Sequence, residues 1–317
     1  ALPISIHKHL TMTQRAVYKM AKTGSIDDLQ LQTEELEPPD PDEVTIEVKA
    51  IGLNFADIFP LHGFYRAAPD GPIIPGLEFS GKIIQVGEEV EEWTRGDRVM
   101  GATKFAAYVT HLNSHHRYVV PIPDEWSYEQ GAGFVVQALT AYYALTQLGN
   151  VQEDMTVLIH SAAGGVGIQA NRICKKYGGY TIGTVGRPEK IDFLREEEDY
   201  DDVILRDSDF AEKLDRALGD RPLRLVMECI GGKILKEGWK AMAPMGRMVV
   251  YGSASFTSHG SRVNYLKLLW RYLTRPKIDP MRLPTRTNPS WASISSISTR
   301  RPISCTECPM NCTPLNC

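Results

Sequence analysis

One stretch limits the fold more than any other. Val157, Leu158, Ile159 and His160 form an apolar run that passes directly into Ser161-Ala162-Ala163-Gly164-Gly165-Val166-Gly167, and helix-forming residues continue to position 177. A strand, a glycine-rich turn and a helix in succession make a phosphate-binding corner. Glycine lets the backbone approach closely, and the helix N-terminus offers free N–H groups and the positive end of its dipole. Ala162 stands where a G-x-G-x-x-G pattern has its first glycine, so in isolation the turn also reads as an ordinary glycine-rich corner. The sequence beyond it favours the phosphate reading. Strands at 180–185, 202–205, 223–229 and 247–251 alternate with helices at 189–195, 210–218 and 234–242. That alternation predicts an α/β fold, a doubly wound parallel sheet that binds a dinucleotide beyond its first strand.

Upstream the pattern changes. Short β-rich runs at 16–20, 43–50, 81–86 and 96–100, punctuated by Gly, Pro and Asp, predict a partly open antiparallel barrel, and one helix is expected over 128–148. The expected division is a barrel domain over 12–127, a nucleotide domain over 128–284 and a Ser/Cys-rich, disordered tail over 285–317. Two domains suit a chain of 317 residues. With 35 Lys+Arg against 39 Asp+Glu, the net charge of −4 supplies no overall positive field for nucleic acid. No apolar run reaches the ~20 residues of a bilayer span, and residues 1–6 are too short for a secretory core, so the cytoplasm is the default location. Cys305, Cys308, Cys312 and Cys317 crowd the end of the chain, which leaves Cys174 and Cys229 in apolar runs as core residues and gives no disulfide framework.

The end of the second nucleotide-domain strand bears on cofactor type. An enzyme that uses NAD places Asp or Glu there to accept from the ribose hydroxyls. Gly183-Thr184-Val185-Gly186-Arg187, followed by Lys190, has no acid and two cations, an arrangement that suits the 2′-phosphate of NADPH. The plainer alternative is that Arg187 and Lys190 solvate an exposed helix start.

Further motifs are Gly52-Leu53-Asn54-Phe55-Ala56-Asp57, Gly63-Phe64-Tyr65, Pro75-Gly76-Leu77-Glu78-Phe79-Ser80-Gly81, Gly96-Asp97-Arg98-Val99 and Leu139-Thr140-Ala141-Tyr142. With the Ser161 to Gly167 loop they make the chain resemble the zinc-independent quinone oxidoreductase branch of the medium-chain dehydrogenase/reductase superfamily. Within that branch it is similar to the vesicle amine transport protein homologues. The resemblance implies a GroES-like barrel domain followed by a Rossmann domain. It also implies a homodimer that transfers hydride from NADPH to a small-molecule quinone or α,β-unsaturated carbonyl (enone).

Zinc-using relatives carry Cys at the position of Asn54 and Gly-His-Glu at Gly76-Leu77-Glu78. With both soft ligands replaced, Glu78 alone cannot hold a catalytic zinc, and no metal is expected. Asn54 and Tyr65 would be the catalytic hydrogen-bond donors to a developing oxyanion or enolate. Thr140, Ala163, Gly164, Gly165, Val166, Gly167, Thr184, Arg187, Lys190 and Gly252 would hold the cofactor. Ordinary packing is the alternative for the catalytic pair, with Asn54 as a turn residue and Tyr65 as a lid aromatic. His111, His115 and His116 are close in sequence, but neighbours on a strand face opposite ways, so a shared metal is not expected.

After Pro284 the periodicity disappears. With one permitted choice of codons, reading the stretch 290–305 from the third base gives an apolar strand and helix similar to the family's continuation, so the tail reads either as a frame change that would cost the sheet its sixth strand or as a genuine Ser/Cys-rich tail. The run 263–273 is basic, aromatic and amphipathic. It suits a helix docked on a neighbouring domain or, alternatively, one in peripheral contact with a membrane. A non-catalytic, cofactor-binding or membrane-peripheral protein is therefore the rival to the enzyme reading.

Overall fold

A computed structural model describes residues 13–65, 71–256 and 263–276, and the tail over 285–317 lies outside the described residues. Two compact units divide between Val135 and Val136.

In the first unit β1 (Thr13–Lys19) and β2 (Gln30–Leu36) form an antiparallel hairpin. There follow β3 (Glu43–Gly52), a single turn α1 (Ile58–Leu61), β4 (Glu78–Val86), β5 (Arg98–Ala102), β6 (His111–His115), β7 (Val119–Pro121) and a short helix α2 (Tyr128–Ala132). The last five strands make an antiparallel sheet in the order β6-β3-β4-β5-β7. Its core holds Val44, Ile46, Phe79, Ile83, Val99 and Leu112, with Val17 joined to it by a bridge to Val109. The strand β2 is polar and largely exposed, so it carries no apolar alternation for a reader of sequence to find.

The strand β6 ends at His115, where the chain turns into a single 3-10 turn over His116–Tyr118. The rings of His115 and His116 therefore stack, with centroids 4.6 Å apart and planes 16° apart. This corrects the expectation that the two face opposite ways, because strand geometry no longer applies at His116. Each has a carboxylate neighbour of its own, Asp42 for His115 and Glu92 for His116. Among the described residues no three His, Cys, Asp or Glu side chains are grouped to hold a metal.

The second unit comprises α3 (Val135–Tyr142), a π-helical turn (Tyr143–Leu148), β8 (Thr156–His160), α4 (Gly165–Lys176), β9 (Tyr180–Val185), α5 (Ile191–Glu196), β10 (Asp202–Leu205), α6 (Phe210–Leu218), β11 (Leu223–Glu228), α7 (Gly232–Ala241), β12 (Met242–Val250) and α8 (Tyr265–Leu273). The expected helix over 128–148 is in fact three pieces. Gly131 and Gly133 weaken its first part, Phe134 leaves the helix to pack edge-on against Trp126, and the Thr146 hydroxyl bonds back to the Tyr142 carbonyl in the π turn.

The sheet is parallel, in the order β10-β9-β8-β11-β12. All five residues of β8 are buried, as expected of a strand covered on both faces. The chain winds outward from β8 to β10 and then crosses back to lay β11 on the other side of β8. The order reverses there, and the crevice beyond the carboxyl ends of β8 and β11 is the place where such sheets bind ligands.

Candidate active site

At the end of β8 the chain turns sharply. Ser161 adopts φ 54°, the Ala162 N–H donates to the Thr184 carbonyl at 3.0 Å, and the Gly164 N–H donates to the Ser161 carbonyl at 2.8 Å. Gly164 caps α4, whose first turn contains no acid, so the positive end of the helix dipole is not neutralised by its own side chains. A Cβ on Gly167 would lie 2.5 Å from the Ala162 oxygen and 2.6 Å from that of Ser161, and one on Gly165 would strike the Gln137 side chain at 1.5 Å. The Ala162 methyl, at the pattern's first glycine position, is buried against Gly183 of β9, where a Cβ would sit 3.0 Å away. The next strand thus supplies the room that the missing glycine would have given. Gln137 brings α3 onto the loop, and Thr140 lies three residues further along the same helix face. These features leave the turn from Ala163 to Gly167 tightly wound against the start of α4.

Arg187 and Lys190 are exposed just beyond β9, and neither forms an ion pair among the described residues. Thr184 is placed otherwise than a direct ligand would be. It is fully buried, and its hydroxyl is within 2.9 Å of His160 Nδ1 and 3.1 Å of Arg206 Nη1. Gly252 follows β12 and lies against Cys229 at the end of β11. Burial pushes the thiol of Cys229 up and that of Cys174 to about 12, which fits packing rather than reaction for both.

Sequence reading missed a buried polar group directly below this crevice. His160 Nε2 and Glu228 Oε2 are 3.4 Å apart, both side chains are fully buried, and neither atom makes a hydrogen bond among the described residues. Glu228 Oε1 accepts from the N–H groups of Ile230 and Gly231. Burial, reinforced by the Arg206 charge, pushes His160 down to about 3, so the imidazole is neutral. Burial raises Glu228, against the opposing pull of the Gly231 and Ile230 amides and Arg206. The residues come from separate strands, and no local motif marks them.

The first unit holds the two expected catalytic residues. Asn54 follows β3 with its amide Nδ2 donating to the buried Glu78 carboxylate at 2.8 Å. Its backbone N–H donates to Asp57 Oδ2 at 2.8 Å, which also accepts from the Tyr108 hydroxyl at 3.0 Å. Burial raises the Asp57 carboxyl, partly offset by the Asn54 and Tyr108 hydrogen bonds. Leu53 and Phe55 project outward on either side of Asn54, and Tyr65 is exposed with its ring edge-on to Phe105 at 5.8 Å. The segment therefore presents apolar surface with one oriented amide and one phenol.

An antiparallel β unit followed by a nucleotide-binding sheet is the two-part plan of the medium-chain dehydrogenases, and comparison with known proteins agrees. The alcohol dehydrogenase GroES-like domain family matches residues 40–147, and the zinc-binding dehydrogenase family matches 165–274. The human synaptic vesicle membrane protein VAT-1 homolog is 31% identical over 247 residues, 77% of this chain and 62% of that protein. The chain thus spans less than two thirds of this relative's length. A crystal structure of Escherichia coli quinone oxidoreductase complexed with NADPH superposes with TM-score 0.75 at 27% identity, covering 90% of this chain and 81% of the other. The CurK enoyl reductase gives 0.74 at 27% identity, covering 90% and 81%. The chain belongs to the medium-chain dehydrogenase/reductase superfamily, in its quinone oxidoreductase branch near the VAT-1 homologues. It carries a GroES-like domain and a Rossmann-like parallel sheet.

Proposed function

We propose that the protein is a zinc-independent reductase that uses NADPH to reduce a quinone or an α,β-unsaturated carbonyl. The observation that carries this reading is the pair of exposed cations Arg187 and Lys190 at the end of β9, without an ion-pair partner among the described residues, beside a glycine loop in which a Cβ on Gly167 would strike the Ser161 and Ala162 carbonyls. The bound nicotinamide supplies the hydride. The protein's own residues bind and orient. Ala163 to Gly167 and the start of α4 face the pyrophosphate, Arg187 and Lys190 the 2′-phosphate, and Thr140 and Gly252 flank the loop side. In the first unit the Glu78 carboxylate holds the Asn54 amide, and Asn54 and Tyr65 offer donors to the oxygen that gains charge as the acceptor is reduced. The apolar Leu53 and Phe55 suit a flat, hydrophobic acceptor. Asn54, Leu77 and Glu78 do not make a zinc site. One carboxylate, already bonded to an amide, falls short of the three protein ligands such a centre needs.

The reading places the protein in the cytoplasm as a homodimer of domains 12–127 and 128–284. NADPH oxidation in the presence of a simple quinone, and separately of an enone, tests it. Turnover with either supports it, and oxidation with neither overturns it.

A second reading, a membrane-peripheral protein, is favoured by α8. That helix leaves Leu266 82% and Trp270 65% exposed beside Lys267 and Arg271 and has no acid. Among the described residues no helix is long and apolar enough to cross a membrane. Co-sedimentation with anionic liposomes tests this reading.

A further inference from the structure

The buried group below the crevice has a direction. An arginine only donates, so Thr184 Oγ1 accepts from Arg206 Nη1 at 3.1 Å. The Thr184 hydroxyl hydrogen has no acceptor among the described residues except His160 Nδ1, at 2.9 Å. Nδ1 is then the acceptor nitrogen, and a neutral imidazole carries its one hydrogen on Nε2, which lies 3.4 Å from Glu228 Oε2 without a hydrogen bond between them. The other carboxylate oxygen takes the N–H groups of Ile230 and Gly231. Gly231 and Gly232, at φ 84° and 60°, form the turn that starts α7. The hydrogen bonds therefore run in one sense from Arg206 to Thr184 to His160, whose Nε2 then lies 3.4 Å from Glu228 Oε2 as a close contact short of a hydrogen bond, and the same carboxylate also holds the β11 turn. His160 is itself the residue from which the dinucleotide loop leaves β8.

We propose that His160 and Glu228 are a positioning pair for the cofactor, locking the turn after β11 to the root of the dinucleotide loop so that both walls of the crevice keep one spacing. The proposal rests on reading that loop as the nicotinamide dinucleotide site. Neither residue touches the cofactor. A carboxylate suits 228 because one oxygen takes two amides and the other has the Nε2–H as its neighbour 3.4 Å away. Glutamine has nearly the same shape but only one acceptor oxygen, so whichever way its amide turns, an NH2 group faces a donor.

The test uses the full chain and three measurements: titration with NADPH and with NADH, turnover at saturating nucleotide, and ¹⁵N spectra of the histidine rings. In the wild type the His160 ring is expected as the Nε2–H tautomer, unchanged between about pH 5.5 and 8. Glu228→Gln is expected to weaken NADPH and NADH in parallel, by about tenfold, while turnover at saturation stays within about twofold. Parallel loss separates this pair from the 2′-phosphate cations, whose loss falls on NADPH alone. Should Glu228→Gln not fold, Thr184→Val removes the donor to Nδ1 and is expected to mix the tautomers and weaken both nucleotides severalfold. An Nδ1–H ring in the wild type, or a folded variant that binds both nucleotides like the wild type, overturns the proposal. If the wild type takes up neither nucleotide, the functional reading falls and the proposal with it. If the wild type binds and only the variant's expected loss is missing, the proposal alone falls.

Discussion

The candidate residues of the two units are built by different means. In the Rossmann unit the cofactor side is backbone: a strand end, a glycine turn and a helix N-terminus, where the contacts that matter are a missing Cβ and a row of N–H groups. In the GroES-like unit the residues proposed for the acceptor are a few side chains outside the strands, with Asn54 held by Glu78 and Tyr65 leaning on Phe105. A ligand shared by many enzymes can be met by fixed backbone geometry, whereas an acceptor that varies is met by side chains that can be exchanged without disturbing a sheet. The first half should therefore tolerate almost nothing and the second should tolerate change in structure but not in activity.

The most severe break is Gly167→Val. Its Cβ would fall 2.5 Å from a carbonyl oxygen, and nucleotide binding should be lost together with about 3 kcal/mol of stability, read by nucleotide titration and urea unfolding. Asn54→Leu probes the other half. Turnover should drop about 100-fold while the Kd for NADPH and the unfolding midpoint barely move, and a variant with unchanged turnover removes Asn54 from the chemistry. Arg187→Ala or Lys190→Ala should weaken NADPH about tenfold and leave NADH unaffected, whereas parallel losses would mark both cations as surface groups.

A smaller effect comes from pH. His160 sits near 3 in the folded protein, well below the 6.5 of a free imidazole, so on acidification the unfolded chain takes up a proton that the folded chain refuses. The stabilisation is complete above about pH 6.5 and is lost as pH falls toward 3, amounting to about 1 kcal/mol between about pH 6.5 and 5.5. His160→Gln should flatten that part of the unfolding curve. The smallest expected effect is none at all: chelators should leave activity unchanged and elemental analysis should find no stoichiometric zinc.

The same contrast governs what could be read from sequence. The parallel sheet, its glycine loop and the cations after β9 were legible because each is local, a run of buried apolar residues or a motif a few positions long. The strand β2 was not, because an exposed hairpin edge has no buried face to impose alternation. The break at Gly133 was masked by helix-compatible residues on both sides, and it falls at the division between the units. Arg206, Glu228 and His160 escaped for another reason. Each is an unremarked polar residue at the end of its own strand, and only the strand order brings them into one buried polar cluster. Ala162 breaks the glycine pattern locally, and Gly183, 21 positions on, compensates for it.

The pinning of His160 also bears on the order in which the site can form. Its carbonyl is approached by Cys229 Sγ at 3.7 Å and by the Tyr251 hydroxyl at 3.4 Å, partners 69 and 91 residues further along the chain. Contacts of such sequence separation form late, since a long loop must close before they contribute anything. During synthesis the glycine loop is present long before its foundation is, and the root of the loop is finished only once Tyr251 has emerged and β12 has docked. Cofactor uptake should accordingly report completion of the whole sheet, as a late event in folding rather than a seed for it.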